Sequence, residues 1–203
     1  RVLFRSILSS LNIISVSLVA LLIGAAEAAF VMFLMARPRV VALRGSPPYG
    51  WALGLGIGSM QACVLIVRLF DTELAYSEYS GLNPFSMLLA FAISIISSLG
   101  HALPASWQGA KVLEASRMRP FFLSSIARGA LTVCLVLSLF EPLLLLVAVP
   151  AIALAWGPAQ RSWLPSGMTP AAKQAFRRTT RQSDKHRKAS EARVRGTRVD
   201  NEE

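Results

Sequence analysis

Long apolar runs separated by short polar segments fill most of the chain. Each is about as long as the roughly 20 residues that an α-helix needs to cross a bilayer. The pattern therefore predicts membrane-spanning helices over residues 7–35, 50–70 and 84–103, and in the longer run 121–156. We expect the third span to stop at Pro104 and a short amphipathic helix to follow over residues 105–120.

The last apolar run, residues 121–156, is too long for one crossing of a hydrocarbon core about 30 Å thick at 1.5 Å per residue. Glu141 and Pro142 divide it into residues 121–140 and 143–156. We interpret these as two crossings, with a re-entrant hairpin or one tilted, kinked helix as alternatives. The predicted fold is an all-α integral membrane protein, a polytopic bundle of about five spans.

Composition agrees with this interpretation, because 54% of the residues are hydrophobic and only 16% are charged. Soluble proteins carry roughly 25% charged residues. The net charge of +10 comes mainly from a basic tail, residues 158–203, that follows a transmembrane domain predicted over residues 7–157. The cysteines, Cys63 and Cys134, lie inside apolar runs, so we expect them to act as small hydrophobic residues.

The charges of the connections predict an orientation, since short cytoplasmic loops are enriched in Lys and Arg. Residues 37–44, residues 111–119 and the tail are basic, whereas residues 71–78 and the turn at Glu141 are not. Five crossings place all three basic segments on one side. We therefore expect a cytoplasmic C-terminus, in the inner membrane of a bacterial cell.

The first residues need a separate interpretation, because the sequence has no initiator Met. Residues 2–6 match one reading frame of a common sequencing-adaptor oligonucleotide. We interpret residues 1–6 as an assembly scar on a truncated gene fragment, with a basic pre-membrane segment as the alternative. The predicted orientation then implies a missing upstream helix and six spans in the intact protein.

Ionisable residues inside the predicted spans are the candidate site. Glu27 and Arg128 fall in the same half of the predicted bilayer, and leaving either unpaired there costs at least about 2.5–3.5 kcal/mol. We expect the two to be in contact, with His101 and three serines in the same cavity: Ser94, Ser97 and Ser98. In the alternative, Glu27 is neutral and locally hydrogen-bonded while Arg128 reaches the membrane interface.

Small residues recur every four positions in the second span and continue to an amide: Gly50, Gly54, Gly58 and Gln61. Such a face allows helix backbones to approach closely. We interpret it as a helix-packing face, with an ion or substrate path as the alternative.

The tail has too few apolar residues to bury a core, so we expect it to be disordered or a solvated helix. Its cations are expected to bind anionic lipid headgroups, at about 1 kcal/mol per charge, or an acidic partner. They are Arg177, Arg178, Arg181, Lys185, Arg187 and Lys188. No aromatic residues interleave them, so nucleic-acid binding is not expected.

Motifs for catalysis or metal binding are missing from the sequence. His101 and His186 are far apart, and we find no nucleophile elbow, paired carboxylates or phosphate loop. We therefore predict no catalytic residue, metal or cofactor, and an enzyme is the least favoured class.

Three functions remain. The sequence favours a non-catalytic subunit or scaffold of a membrane complex, with protein partners or a second copy of itself. The alternative is a small transporter or permease subunit with Glu27, Arg128 and His101 in a polar pathway in the cytoplasmic half. A membrane-insertion or lipid-handling factor is a weaker third.

Overall fold

The computed structural model describes residues 13–71 and 79–194, and these residues form helices and connections without a strand. The long helices are α1 (Ile13–Met35), α3 (Ser46–Phe70), α4 (Pro84–Leu113), α5 (Met118–Leu137), α6 (Leu145–Pro158) and α7 (Pro170–Val194). Shorter elements are α2 (Pro38–Ala42), a 3-10 turn (Pro142–Leu144), a π-helical turn (Ala159–Trp163) and a second 3-10 turn (Leu164–Gly167).

Five segments of the described residues are long and apolar enough to cross a membrane. They are α1, α3, α4, α5 and the continuous helical segment Pro142–Gly167. This confirms the all-helical fold for the residues that the structure describes. The five apolar helices are compatible with a multi-pass integral membrane protein. Residues 1–6, interpreted above as a scar, lie outside the described residues, as does most of the acidic connection at residues 71–78.

The chain divides into two compact units, a bundle that ends at Gly167 and a C-terminal unit that begins at Met168. The boundary lies ten residues beyond the one expected at residues 157/158, because the helical segment continues. In the second unit, α7 begins at a cap where the Thr169 hydroxyl accepts a hydrogen bond from the Ala172 N–H at 3.3 Å. Its described residues are almost all exposed.

Helices α3 and α4 form the most extensive interface of the bundle. They run antiparallel, since Gly50 lies against the backbone of Ala105 while Gly58 lies against that of Ser97 and Ser98. Helix α4 begins at a capping box, in which the Asn83 side chain accepts the Ser86 N–H at 2.8 Å and Ser86 accepts the Asn83 N–H at 3.1 Å.

The sequence predicts that the third span stops at Pro104, but helix α4 continues to Leu113. Proline lacks an N–H and deprives the carbonyl four residues earlier of its partner. Packing beyond the proline offsets this cost: Ala105 and Gln108 are fully buried, and Gly109 lies against the backbone of Ser46. The amphipathic helix expected over residues 105–120 is therefore divided between α4, a turn and the start of α5.

The second major interface joins α1 to α5. A Cβ atom on Gly24 would lie 2.6 Å from the carbonyl oxygen of Ser125 and 2.7 Å from the Gly129 nitrogen. Gly129 in turn lies against Ala20 and Leu21, so these helices are also antiparallel and almost in backbone contact.

The chain reverses after α5 and returns along it. Leu139 and Leu145 share one apolar cluster, and further along Ala127 and Ala155 line the same groove. Two separate antiparallel helices thus replace the single tilted helix considered above. The reversal follows Glu141, as expected from the Glu141–Pro142 pair.

These pairings place the basic connections at one end of the bundle. The Ser46 hydroxyl donates to the carbonyl of Met35 at 3.1 Å, and Gly109 lies against Ser46. Tryptophans pair there across elements, Trp51 with Trp156 at 5.9 Å and Trp107 with Trp163 at 6.4 Å between ring centroids. The main apolar cluster of α3, α4, α5 and α6 occupies the other end, with Leu69, Ile93 and Leu135 fully buried.

Candidate functional site, a buried polar cluster

Three ionisable side chains from different helices meet inside the bundle. The Glu27 Oε2 atom of α1 lies 3.7 Å from Nη1 of Arg128 on α5. The same oxygen lies 3.2 Å from Nδ1 of His101 on α4. Close packing of α1 on α5 at Gly24 and Gly129 brings the carboxylate to the guanidinium. The structure thus places Glu27, His101 and Arg128 together, with the carboxylate between the two nitrogen-bearing groups.

Gln61 connects this group to α3. Its Oε1 atom lies 2.5 Å from Nε2 of His101, and its Nε2 donates to the Thr132 hydroxyl at 3.1 Å. Gln61, predicted as the last member of the helix-packing face, therefore also links His101 to Thr132. Gln61 of α3 thus contacts both α4, through His101, and α5, through Thr132. Thr132 lies one turn beyond Arg128 on α5, so these contacts belong to the same cluster.

Gln108 completes the cluster on the side of the basic connections. Its Oε1 atom accepts from Nη2 of Arg128 at 3.4 Å, and its Nε2 donates to the carbonyl of Ala28 at 3.2 Å. Gln108 is absent from the predicted site because the third predicted span stops at Pro104. The residue lies seven positions after His101, on the same face of a continued helix, and that spacing was the available signal.

Burial is nearly complete. The side chains of His101 and Arg128 have no exposed area, while that of Glu27 is 19% exposed. Removing one partner of such a pair is costly because the remaining charge stays buried without compensation. The cluster therefore strongly couples the positions of α1, α4 and α5.

Four buried polar atoms of the cluster make no aligned hydrogen bond, although three of them, all but Nε of Arg128, meet at ion-pair distance. They are Oε2 of Glu27, Nδ1 of His101, and Nε and Nη1 of Arg128. Each ring nitrogen of His101 thus faces a side-chain oxygen, Nε2 that of Gln61 and Nδ1 that of Glu27.

The three serines expected in this cavity have other partners. The Ser97 hydroxyl donates to the carbonyl of Gly58 at 2.7 Å, and Ser98 pairs with the Ser59 hydroxyl at 3.2 Å. The Ser94 hydroxyl returns to Ala90 of its own helix at 2.9 Å. Ser97 and Ser98 therefore join α3 to α4 one turn or less from His101, and Ser94 makes a local bond common for helical serines.

The glycine face lies directly on the α4 backbone. A Cβ atom at Gly54 would lie 2.5 Å from the carbonyl oxygen of His101, and one at Gly58 would lie 2.7 Å from the Ser98 Cα atom. Gly56, two residues away, has no neighbouring atom within 4 Å of the same position. The face therefore positions the backbone that carries His101.

The six tail cations are all exposed on α7. Arg187 lies 3.7 Å from carboxylate oxygens of Asp184 and Glu191, which are pairs within the same helix. Exposed pairs of this kind contribute little stability. Within residues 13–71 and 79–194, no group of three or more His, Cys, Asp or Glu side chains is placed to hold a metal ion.

Comparison of the chain with protein-family models, curated proteins and solved structures gave no match. Any functional conclusion therefore depends on the geometry above.

Replacing Gln61 with leucine is expected to lower the free energy of unfolding by about 1–3 kcal/mol, because buried partners on His101 and Thr132 lose their hydrogen bonds. The measurement is unfolding by SDS in mixed micelles, monitored by tryptophan fluorescence. Ser94→Ala is the matched control, since its hydroxyl bonds only its own helix, and we expect a change within about 0.5 kcal/mol. Equal stability of Gln61→Leu and the wild type would show that the bridge is dispensable.

Proposed function

We propose that the protein is a non-catalytic subunit or scaffold of a membrane complex. One observation carries the proposal: the ionisable groups inside the bundle contact one another, and their contacts extend across α1, α3, α4 and α5. Charges that neutralise each other within a bundle fix the arrangement of its helices. This arrangement favours a rigid body that presents its outer faces to other components.

The outer faces of the bundle are suited to contacts with neighbouring molecules in the membrane. Large apolar side chains are exposed along several helices, for example Phe33 on α1, Met60 on α3 and Phe91 on α4. In a bilayer these surfaces meet lipid or the helices of partners, which include other proteins and further copies of this chain. The exposed cations of α7 supply a second surface, suited to anionic headgroups or an acidic partner.

The orientation is part of the same proposal. The connections that hold Arg37, Arg39 and Arg44, and those that hold Arg117 and Arg119, lie at one end of the bundle. Since Lys and Arg are enriched in cytoplasmic loops, we propose that this end and the C-terminal tail face the cytoplasm of a bacterial cell.

Recovery of the complex tests the proposal. The full chain is purified in detergent after cross-linking in its own membrane, and a stable heteromeric assembly is expected. Arg128→Ala should reduce recovery several-fold because the Glu27 carboxylate loses its cation. Adding Glu27→Gln should restore recovery, since the unpaired charge is removed. A chain recovered without any partner would contradict the subunit proposal.

The second candidate is a small transporter or permease subunit, and a specific observation favours it. The Glu27 side chain is 19% exposed, and its Oε2 atom lies 3.2 Å from Nδ1 of His101. An accessible carboxylate beside an imidazole is suited to proton exchange. The test is whether the double variant Arg128→Ala, Glu27→Gln supports growth as well as the intact gene does. A double variant that restores the complex but no longer supports growth would favour the transporter over the scaffold.

A further inference from the structure

A groove lies between α4, α5 and α6, the part of the bundle where α6 packs only loosely on α5. Its volume is about 350 Å³. Glycine and alanine form half of its lining: Gly100, Ala127, Ala130, Ala148, Ala151 and Ala155. Because these side chains are short, the space between the helices is left open along their length.

A second cavity of about 230 Å³ continues this groove toward the basic end of the bundle. The two share Leu103, Pro104, Ala127 and Ala155 in their walls. The second cavity ends at Trp107 and Trp163, whose ring centroids are 6.4 Å apart. Tryptophan is enriched at membrane–water interfaces, so this end of the groove is expected at headgroup level.

Two exposed cations are close in the chain to residues that line this end of the groove. Arg119 lies one helical turn before Leu123 and on the same face of α5, and Arg161 lies on the helical turn that contains Trp163. The groove therefore combines apolar walls along its length with positive charge at its interfacial end. That distribution of charge complements an amphiphile with an apolar chain and an anionic head.

From this complementarity we propose that the groove binds one acyl chain of an anionic phospholipid, with the phosphate at Arg119 and Arg161. Positive charge at one end of an otherwise apolar groove favours an anionic lipid over an apolar partner helix. The lipid site goes beyond the proposed function and does not depend on it.

Native mass spectrometry of the full chain in detergent tests the proposal, with phosphatidylglycerol and phosphatidylcholine of identical acyl chains as probes. A one-to-one adduct is expected, at least about tenfold stronger with phosphatidylglycerol. Arg119→Gln combined with Arg161→Gln should remove this preference, and because both residues are exposed the fold should be unaffected. Equal binding of the two lipids by the wild type would overturn the proposal.

A second set of variants separates the groove from other surfaces. Ala130→Leu with Ala151→Leu fills the groove and should weaken the adduct at least about tenfold, whereas Ala52→Leu on the exposed face of α3 should leave it unchanged. Tryptophan fluorescence checks that each variant is folded. Loss of the adduct on replacing the six α7 cations with glutamine, but not in the groove variants, would assign the lipid to the tail and contradict the proposal.

Discussion

Replacing Glu27 with alanine is expected to lower the free energy of unfolding by about 3–5 kcal/mol. The change leaves Arg128, whose side chain has no exposed area, without its counter-charge 3.7 Å away. It also removes the group that faces Nδ1 of His101 at 3.2 Å. SDS titration in mixed micelles, followed by tryptophan fluorescence, measures the loss.

Glu114→Ala is the matched control for this experiment. Glu114 also pairs with a cation, Lys111 at 2.6 Å, but both side chains are substantially exposed. Exposed pairs contribute about 0–1 kcal/mol, so the control should remain close to the wild type. Equal losses for Glu27→Ala and Glu114→Ala would mean that Glu27 is effectively solvated.

Replacing Gly54 with leucine is the second large change. Its Cβ atom would lie 2.5 Å from both the His101 carbonyl oxygen and the Ala102 Cα atom. These are backbone atoms, so no side-chain rotation relieves the clash, and α3 must move away from α4. We expect a loss of about 3 kcal/mol, the upper end of the usual range for overpacking, and a weaker contact between Gln61 and His101.

Gly56→Leu separates this effect from helix propensity, since Gly56 lies on the same helix with nothing within 4 Å of its Cβ position. That variant should be neutral or slightly stabilising, because glycine is the poorer helix former. The same SDS titration compares the two. If both leucine variants were equally destabilised, close contact of α3 with α4 would not be the cause.

The sequence was sufficient to predict the number and place of the apolar helices, because bilayer thickness imposes their length. It also led to the juxtaposition of Glu27 and Arg128, since an unpaired charge in a span is costly and the loop charges place both in the same half. The glycine spacing of α3 likewise indicated a packing face. Each of these inferences depends on a local pattern with a single physical reason.

The rest depended on tertiary packing. Pro104 ends a helix by local rules, but the burial of Ala105 and Gln108 offsets its cost, and the extended helix brings Gln108 to Arg128. The serines of α4 share a face with His101, yet that face also meets α3, and there Ser97 finds the carbonyl of Gly58. Periodicity identifies a face but does not identify the partner that covers it.

A double-mutant cycle between positions 27 and 128 tests the central claim, that a buried ion pair holds the bundle together. The cycle compares Glu27→Leu, Arg128→Leu and the double variant with the wild type in the SDS titration. The double variant is expected to be more stable than the sum of the single losses implies, by at least about 1 kcal/mol. Single losses that add to within about 0.3–0.5 kcal/mol would contradict it.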